Sequence, residues 1–219
     1  MHAGFLTLLA LGLPLAATES RAALAPPAVL TLSRVPQSLS PEAVACRKLA
    51  EAGDPDAQTR LGSMFYMGEG VVRDHAQAAH WFRKAAGRGD ARAQAILAML
   101  LEEGDGVAQD RTEALHWYQE AARGGDSDAQ VRLADHYYLG EVLGRDRAQA
   151  RVWLEKAARA GDAGAQAKLG AMLLLGEGGP TDPEGGALWL RKAADQGDPQ
   201  AKSCLETLGA LKASPDPRR

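Results

Sequence analysis

Gly89 to Gly124 reads GDARAQAILAMLLEEGDGVAQDRTEALHWYQEAARG. The same unit opens at Gly53, Gly89, Gly125 and Gly161 and begins again at Gly197, always 36 residues on. A Gly-Asp pair starts each copy. Trp81, Trp117, Trp153 and Trp189 hold one shared position in the four complete copies, and the chain has 4 tryptophans in all. A fixed period of this length marks an array of stacked supersecondary units.

Each unit reads as two helices. The first starts at Asp54, Asp90, Asp126, Asp162 and Asp198, where a carboxylate can cap the free N–H groups of the opening turn. Pro55 and Pro199 follow at the first helical position, where a missing N–H costs nothing. Apolar residues then step by three and four, as in Ala57, Leu61 and Phe65 or Ala93, Leu97 and Leu101. Gly68, Gly104, Gly140 and Gly176 are placed to end these helices in a left-handed turn.

The second helix starts at Asp74, Asp110, Asp146 and Asp182. Gln77, Glu113 and Gln149 stand three residues on, so the first three starts read as capping boxes. The fourth has Gly185 there, and its helix is expected to fray first. Each second helix carries its Trp and then a pair of alanines: Ala85-Ala86, Ala121-Ala122, Ala157-Ala158, Ala193-Ala194. The four tryptophans are expected in the core, with the alanines letting a neighbouring helix approach. A single hairpin cannot bury both faces, so each unit leans on its neighbours.

These residues resemble a known family. The run Ala57, Leu61, Gly62, Phe65, Gly68, Gly70, Val71, Asp74, Ala78, Trp81, Phe82, Lys84, Ala85, Ala86 is similar to the Sel1-like repeat, a relative of the tetratricopeptide repeat. The third copy departs at Val142, where a second loop glycine is expected, and the fourth at Gly179, where the loop valine is expected. The resemblance spans about residues 40 to 211. It implies an all-α, right-handed α/α solenoid with a concave groove, used as an adaptor in signalling, secretion or envelope regulation. No catalytic residue belongs to its motif.

The expected organisation is repeats at 53–88, 89–124, 125–160 and 161–196 with a partial repeat at 197–211. Ser40 to Ala52 is expected as a second-type helix lacking its partner, and residues 198 to 211 as a first-type helix lacking its partner. Each caps one end, for ten helices in all. Glu206 stands where Gly62, Ala98, Ala134 and Gly170 stand elsewhere, which suits an end with nothing packed on it. Residues 212–219 read as a disordered tail.

Before the array, the apolar run from Phe5 to Ala17 is too short to span a bilayer and suits the middle of a signal peptide. Residues 1–25 are therefore read as a signal peptide, although no Lys or Arg precedes the run, and 26–39 as a Pro-rich linker. The expected location is periplasmic or secreted, with the cytoplasm as the alternative. A net charge of −3 and no basic run give no sign of nucleic acid or an anionic membrane surface. Cys46 and Cys204 lie in the first and last helices. Packed helices sit about 8–10 Å apart, so the two ends should be too distant for a bridge, which needs Cα atoms within about 7 Å.

Nothing in the sequence gathers into a catalytic or metal motif. His80 and His116 share one repeat position, but Val152 and Leu188 occupy it in the other copies, so no metal site is read there. There is no G-x-S-x-G, no H-E-x-x-H and no phosphate loop. An enzyme acting on cell-wall or β-lactam-like molecules is the alternative, but none of the serines has a lysine three residues on. No cofactor and no stable membrane insertion of the mature chain are expected, and the partner is expected to be a protein or peptide. By analogy with the tetratricopeptide groove, the resemblance places Tyr66, Arg92, Met99, Glu102, Asp135, Tyr138 and Leu174 on the concave face. Tyr66 and Tyr138 are expected exposed, as binding anchors.

Overall fold

The computed structural model describes residues 39–213, with side chains as far as Gly209. The stretch read as a signal peptide, all of the stretch read as linker but Leu39, and the residues from Ser214 on lie outside the described residues. Ten α-helices are present among them: α1 (Pro41–Glu51), α2 (Pro55–Met67), α3 (His75–Ala86), α4 (Ala91–Glu103), α5 (Arg111–Arg123), α6 (Ser127–Leu139), α7 (Arg147–Arg159), α8 (Ala163–Leu175), α9 (Pro183–Asp195) and α10 (Pro199–Ala213). Each helix packs on the next in chain order, giving an all-α solenoid of four hairpins between two lone helices. The last helix runs to Ala213, two residues into the stretch read as tail. No helix among the described residues is long and apolar enough to cross a membrane.

The helix ends follow the local code. Asp54, Asp90, Asp126 and Asp162 each accept from the backbone N–H three residues on, at 2.6–2.8 Å. Gly68, Gly104, Gly140 and Gly176 close the first helices at φ between +70° and +78°, a conformation that glycine adopts without a Cβ penalty. In the second helices only half of each capping box forms. Asp74, Asp110, Asp146 and Asp182 accept from the N–H three residues on. Their own N–H groups donate to Phe65, Leu101, Tyr137 and Leu173 in the preceding helix. The Glu/Gln side chain is thus not needed for the return bond. Gly185 forfeits no capping bond that the other three starts make, so the missing Glu/Gln is not a capping reason for α9 to fray first; it lacks only the contacts to Arg83 and Trp117 that Glu113 makes in the second copy.

In the last three hairpins the large residue sealed inside is not the tryptophan but its successor; in the first, both are buried. Phe82, Tyr118, Leu154 and Leu190 are all buried, whereas only Trp81 of the four tryptophans is; Trp117, Trp153 and Trp189 are half-buried. The successor faces the small position of the first helix. A Cβ on Gly62 would come within 2.9 Å of the Phe82 ring, and one on Gly170 within 2.8 Å of Leu190 Cγ. The tryptophans lie one step round the helix, roofed by the lysine three residues on. Lys84, Lys156 and Lys192 stand over Trp81, Trp153 and Trp189 at 4.3, 3.7 and 4.2 Å, a cation–π arrangement. In the second copy Glu120 replaces that lysine, and Trp117 Nε1 instead donates to Glu113 Oε1 at 3.1 Å.

Two ladders join one repeat to the next. Gln58, Gln94, Gln130 and Gln166 are buried, and each Nε2 donates to a carbonyl at the end of the preceding helix: Ala50, Ala86, Ala122 and Ala158, at 3.0–3.1 Å. The second ladder pairs the first residue of each second helix with the loop acid of the following repeat. His75–Asp105, Arg111–Glu141 and Arg147–Glu177 are 2.5, 3.8 and 3.3 Å apart. The pair is longest where Val142 replaces the second loop glycine.

The glutamine ladder yields a prediction. Gln166 Oε1 accepts from Gln196 Nε2 at 2.8 Å, whereas the buried Gln130 Oε1 has no partner among the described residues. Ala160 is the repeat equivalent of Gln196, and both are right-handed C-caps. Ala160→Gln is expected to raise stability by about 0.5–1.5 kcal/mol, read from urea unfolding. A gain of the same size from Ala160→Leu would show that the hydrogen bond is not the cause.

Both cysteines are free. Cys46 is buried and Cys204 exposed, and Cys46 Sγ lies 3.4 Å from the Ala57 carbonyl oxygen that accepts from it.

Candidate functional site

The first helices of successive repeats present one face, and three hollows run along it. The largest, about 550 Å³, lies where α4 meets α6. Ala95, Ile96, Met99 and Val131 supply its apolar walls, and Arg92, Asp128 and Arg132 its charged rim. A second hollow, about 350 Å³, is lined by Glu102, Arg132, Asp135, His136, Tyr138, Leu139 and Glu141. A third, about 240 Å³, lies between α6 and α8 over Ala134, Leu154, Ala171 and Met172. Arg132 belongs to the first two, and Asp135 and Tyr138 to the last two, so the three form one track across repeats two to four.

Five of the seven side chains expected on this face line the track: Arg92, Met99, Glu102, Asp135 and Tyr138. Tyr66 does not. It is half-buried against the core, with its ring stacked on His75 at 4.8 Å. Leu174 is turned into the last hairpin, so close that a Cβ on Gly186 would come within 2.9 Å of its Cγ. Tyr66, Glu102, Tyr138 and Leu174 hold one repeat position in the last turn of the first helix, beside the loop of the next repeat. Glu102 and Tyr138 there serve the joint between repeats, whereas Tyr66 and Leu174 pack within their own hairpins.

Those joints are specific. Tyr138 donates through its hydroxyl to Glu177 at 2.8 Å, under the Arg147 guanidinium 5.1 Å from its ring. The Glu177 hydrogen bond, with some burial, raises the Tyr138 phenol above its usual range. Glu102 accepts from the Tyr118 hydroxyl at 2.9 Å and lies 3.1 Å from His136 Nε2. Burial, and then the Glu102 charge, push the Tyr118 phenol well above its ordinary value, so it stays a neutral donor. Asp135 is held by Lys168 at 2.7 Å. At the N-terminus of α6, burial raises the Asp126 carboxyl, against the pull of the Ala129 N–H that it caps.

A column that the sequence reading passed over stands at the rim. Met67, Leu139 and Leu175, each the last residue of a first helix, are exposed by 60, 53 and 70%. Glu103 holds that position in the second copy. The signal was available in the 36-residue period: an apolar residue recurs where the helix pattern asks for none. Among the described residues, no group of three or more His, Cys, Asp or Glu is placed to hold a metal.

A family model described as Sel1 repeat matches residues 55–90, 91–126, 127–162 and 163–198 in four consecutive copies. The chain belongs to the Sel1 repeat family. Its matched frames start directly after the Gly-Asp pairs. A Sel1 repeat protein from Oxalobacter formigenes is 35% identical with a TM-score of 0.72, covering 76% of this chain and 48% of its own. The protective antigen c5321 of uropathogenic Escherichia coli, which displays the same repeat fold, is 32% identical with a TM-score of 0.71, covering 74% of this chain and 35% of its own. The chain thus matches less than half the length of either. No curated protein matches it at this level of similarity. Sel1 repeats are typically non-catalytic scaffolds that serve in protein–protein interactions.

Proposed function

We propose that the chain is a non-catalytic adaptor that binds a protein or peptide along the face of α4, α6 and α8, in the cell envelope or outside the cell. The track of three linked hollows carries this reading. Its walls mix apolar side chains with charges of both signs, and it is long enough for several residues of a partner. The carboxylates that line it mostly hold neighbouring repeats together, which suits a rigid binding surface. The apolar run at Phe5–Ala17 supports export.

The test is capture from envelope fractions of the source cell by the full array, wild type against Arg92→Glu/Asp128→Lys/Leu175→Glu. These three side chains are exposed, so the variant is expected to keep its helicity and melting temperature. A protein retained by the wild type and lost from the variant is the expected result. Equal retention by both would move the site off this face. N-terminal sequencing of the mature protein checks export: an intact Met1 would place the adaptor in the cytoplasm.

A further inference from the structure

We propose that the cleft between α6 and α8 takes one aliphatic or methionine side chain of a basic peptide. The inference rests on the adaptor reading above and names the chemistry of its partner.

The cleft exists because the first helix of the fourth repeat is trimmed on this face. Ala171 stands where Met99 stands two repeats earlier. The floor is then Ala134, Leu154, Ala171 and Met172, and Leu175 overhangs the mouth, 70% exposed. At about 240 Å³ the space falls below the roughly 300–1,000 Å³ usual for small-molecule sites. It suits a single side chain of a larger partner.

The surroundings set the sign of that partner. The cleft and the hollow beside it are lined by Glu102, Asp135, Glu141 and Glu177 against two cations, Arg132 and Lys168. Exposed Glu103 continues the acidic side. Glu141 is the least committed carboxylate: its partner Arg111 is 3.8 Å away, and both side chains are more than half exposed. A lysine or arginine of the ligand can pair with it while the apolar anchor is seated. Because Asp135 and Tyr138 line both hollows, anchor and cation need be separated by no more than about three residues of extended chain. An acidic peptide would meet repulsion from the same carboxylates.

The experiment offers the full-chain protein a random dodecapeptide display library and measures the enriched peptides by fluorescence anisotropy. Enriched sequences are expected to share Leu, Ile, Val or Met within three residues of Lys or Arg. Ala171→Trp, which fills the cleft, and Leu175→Glu, a surface change that leaves the fold intact, are each expected to weaken binding at least tenfold. Val152→Glu, a change of the same kind on the exposed face of α7 away from the track, is expected to leave it unchanged. Enriched acidic peptides, or binding indifferent to both cleft variants, would overturn the proposal. Peptides lost on Arg92→Glu but not on Leu175→Glu would also overturn it while keeping the adaptor. If no peptide is enriched the cleft assignment fails, and the envelope capture decides the adaptor reading separately.

Discussion

Tyr118→Ala is expected to destabilise the array by about 4–6 kcal/mol, whereas Trp117→Ala, one residue away, should cost about 1–2 kcal/mol. The tryptophan is the larger and the more regularly repeated residue, so composition alone predicts the reverse. Burial decides it. Tyr118 is sealed between α4 and α5 at 2% exposure, while Trp117 is half-buried. Truncating a fully buried aromatic costs about 3–5 kcal/mol through lost contacts and the cavity left behind. Removing the hydroxyl also takes one donor from the half-buried Glu102, which keeps His136 beside it, and a hydrogen bond to a charged group is worth about 1.5–3 kcal/mol. Against a total stability of about 5–15 kcal/mol, such a loss is enough to uncouple the second repeat from the third. Tyr118→Phe isolates the hydrogen bond and should cost only that part. Urea unfolding followed by circular dichroism reads all three variants. Equal losses for Tyr118→Ala and Trp117→Ala would mean that the tryptophan row, not its successor, holds the hairpins closed.

What was legible in the sequence was what depends on few neighbours in the chain. Asp54 and Asp90 cap because a side-chain oxygen three residues upstream reaches an N–H in any helix of this kind. Gly68 and Gly104 end helices because the left-handed turn is a property of one residue. The hairpin period follows from these signals alone. The glutamine column, Gln58 to Gln166, was just as periodic and was passed over. Its value depends on a carbonyl that the preceding repeat supplies, and only the stacked structure provides that carbonyl. The column breaks at Lys202, in the lone last helix.

The tryptophan position was misjudged for a related reason. Trp and its successor are adjacent apolar columns, and the periodicity marks both as inward-leaning. Which of them is sealed depends on the rotation of the second helix against Gly62 and its equivalents, and no count of residues along one helix fixes that angle. The binding face shows the same limit. Arg92 and Met99 line a hollow. Tyr66 and Leu174, at a helix end, pack against His75 and Gly186 in their own hairpins. Leu175, one residue later, carries the exposed surface instead.

The loop glycines turn this dependence on neighbours into a second large effect. Gly106 has φ +70°, and a Cβ there would sit 2.3 Å from the carbonyl carbon of His75 and 2.6 Å from the nitrogen of Ala76. Those are backbone atoms in the first turn of α3, one repeat earlier, and they cannot swing aside as a side chain can. Gly178 repeats the arrangement against Arg147, with 2.2 Å to its carbonyl oxygen. Alanine at Gly106 therefore adds left-handed strain of about 1–2 kcal/mol to an overpacking cost of about 1–3 kcal/mol. The clash also pushes Asp105 away from His75, now 2.5 Å apart. Gly125 is the control: its φ is +93°, but nothing lies within 4 Å of the added carbon, so Gly125→Ala should cost the strain alone. Gly106→Ala is thus expected to lose about 2–5 kcal/mol and to lower the cooperativity of unfolding, because the first repeat separates from the rest. Gly70→Ala should fall between the two, since the atom it meets is mainly the Ser40 hydroxyl at 2.3 Å, the end of a side chain that can turn. If Gly106→Ala and Gly125→Ala unfold at the same urea concentration with the same slope, the loops do not set the spacing between repeats. The coupling must then come from the buried glutamines and the helix faces.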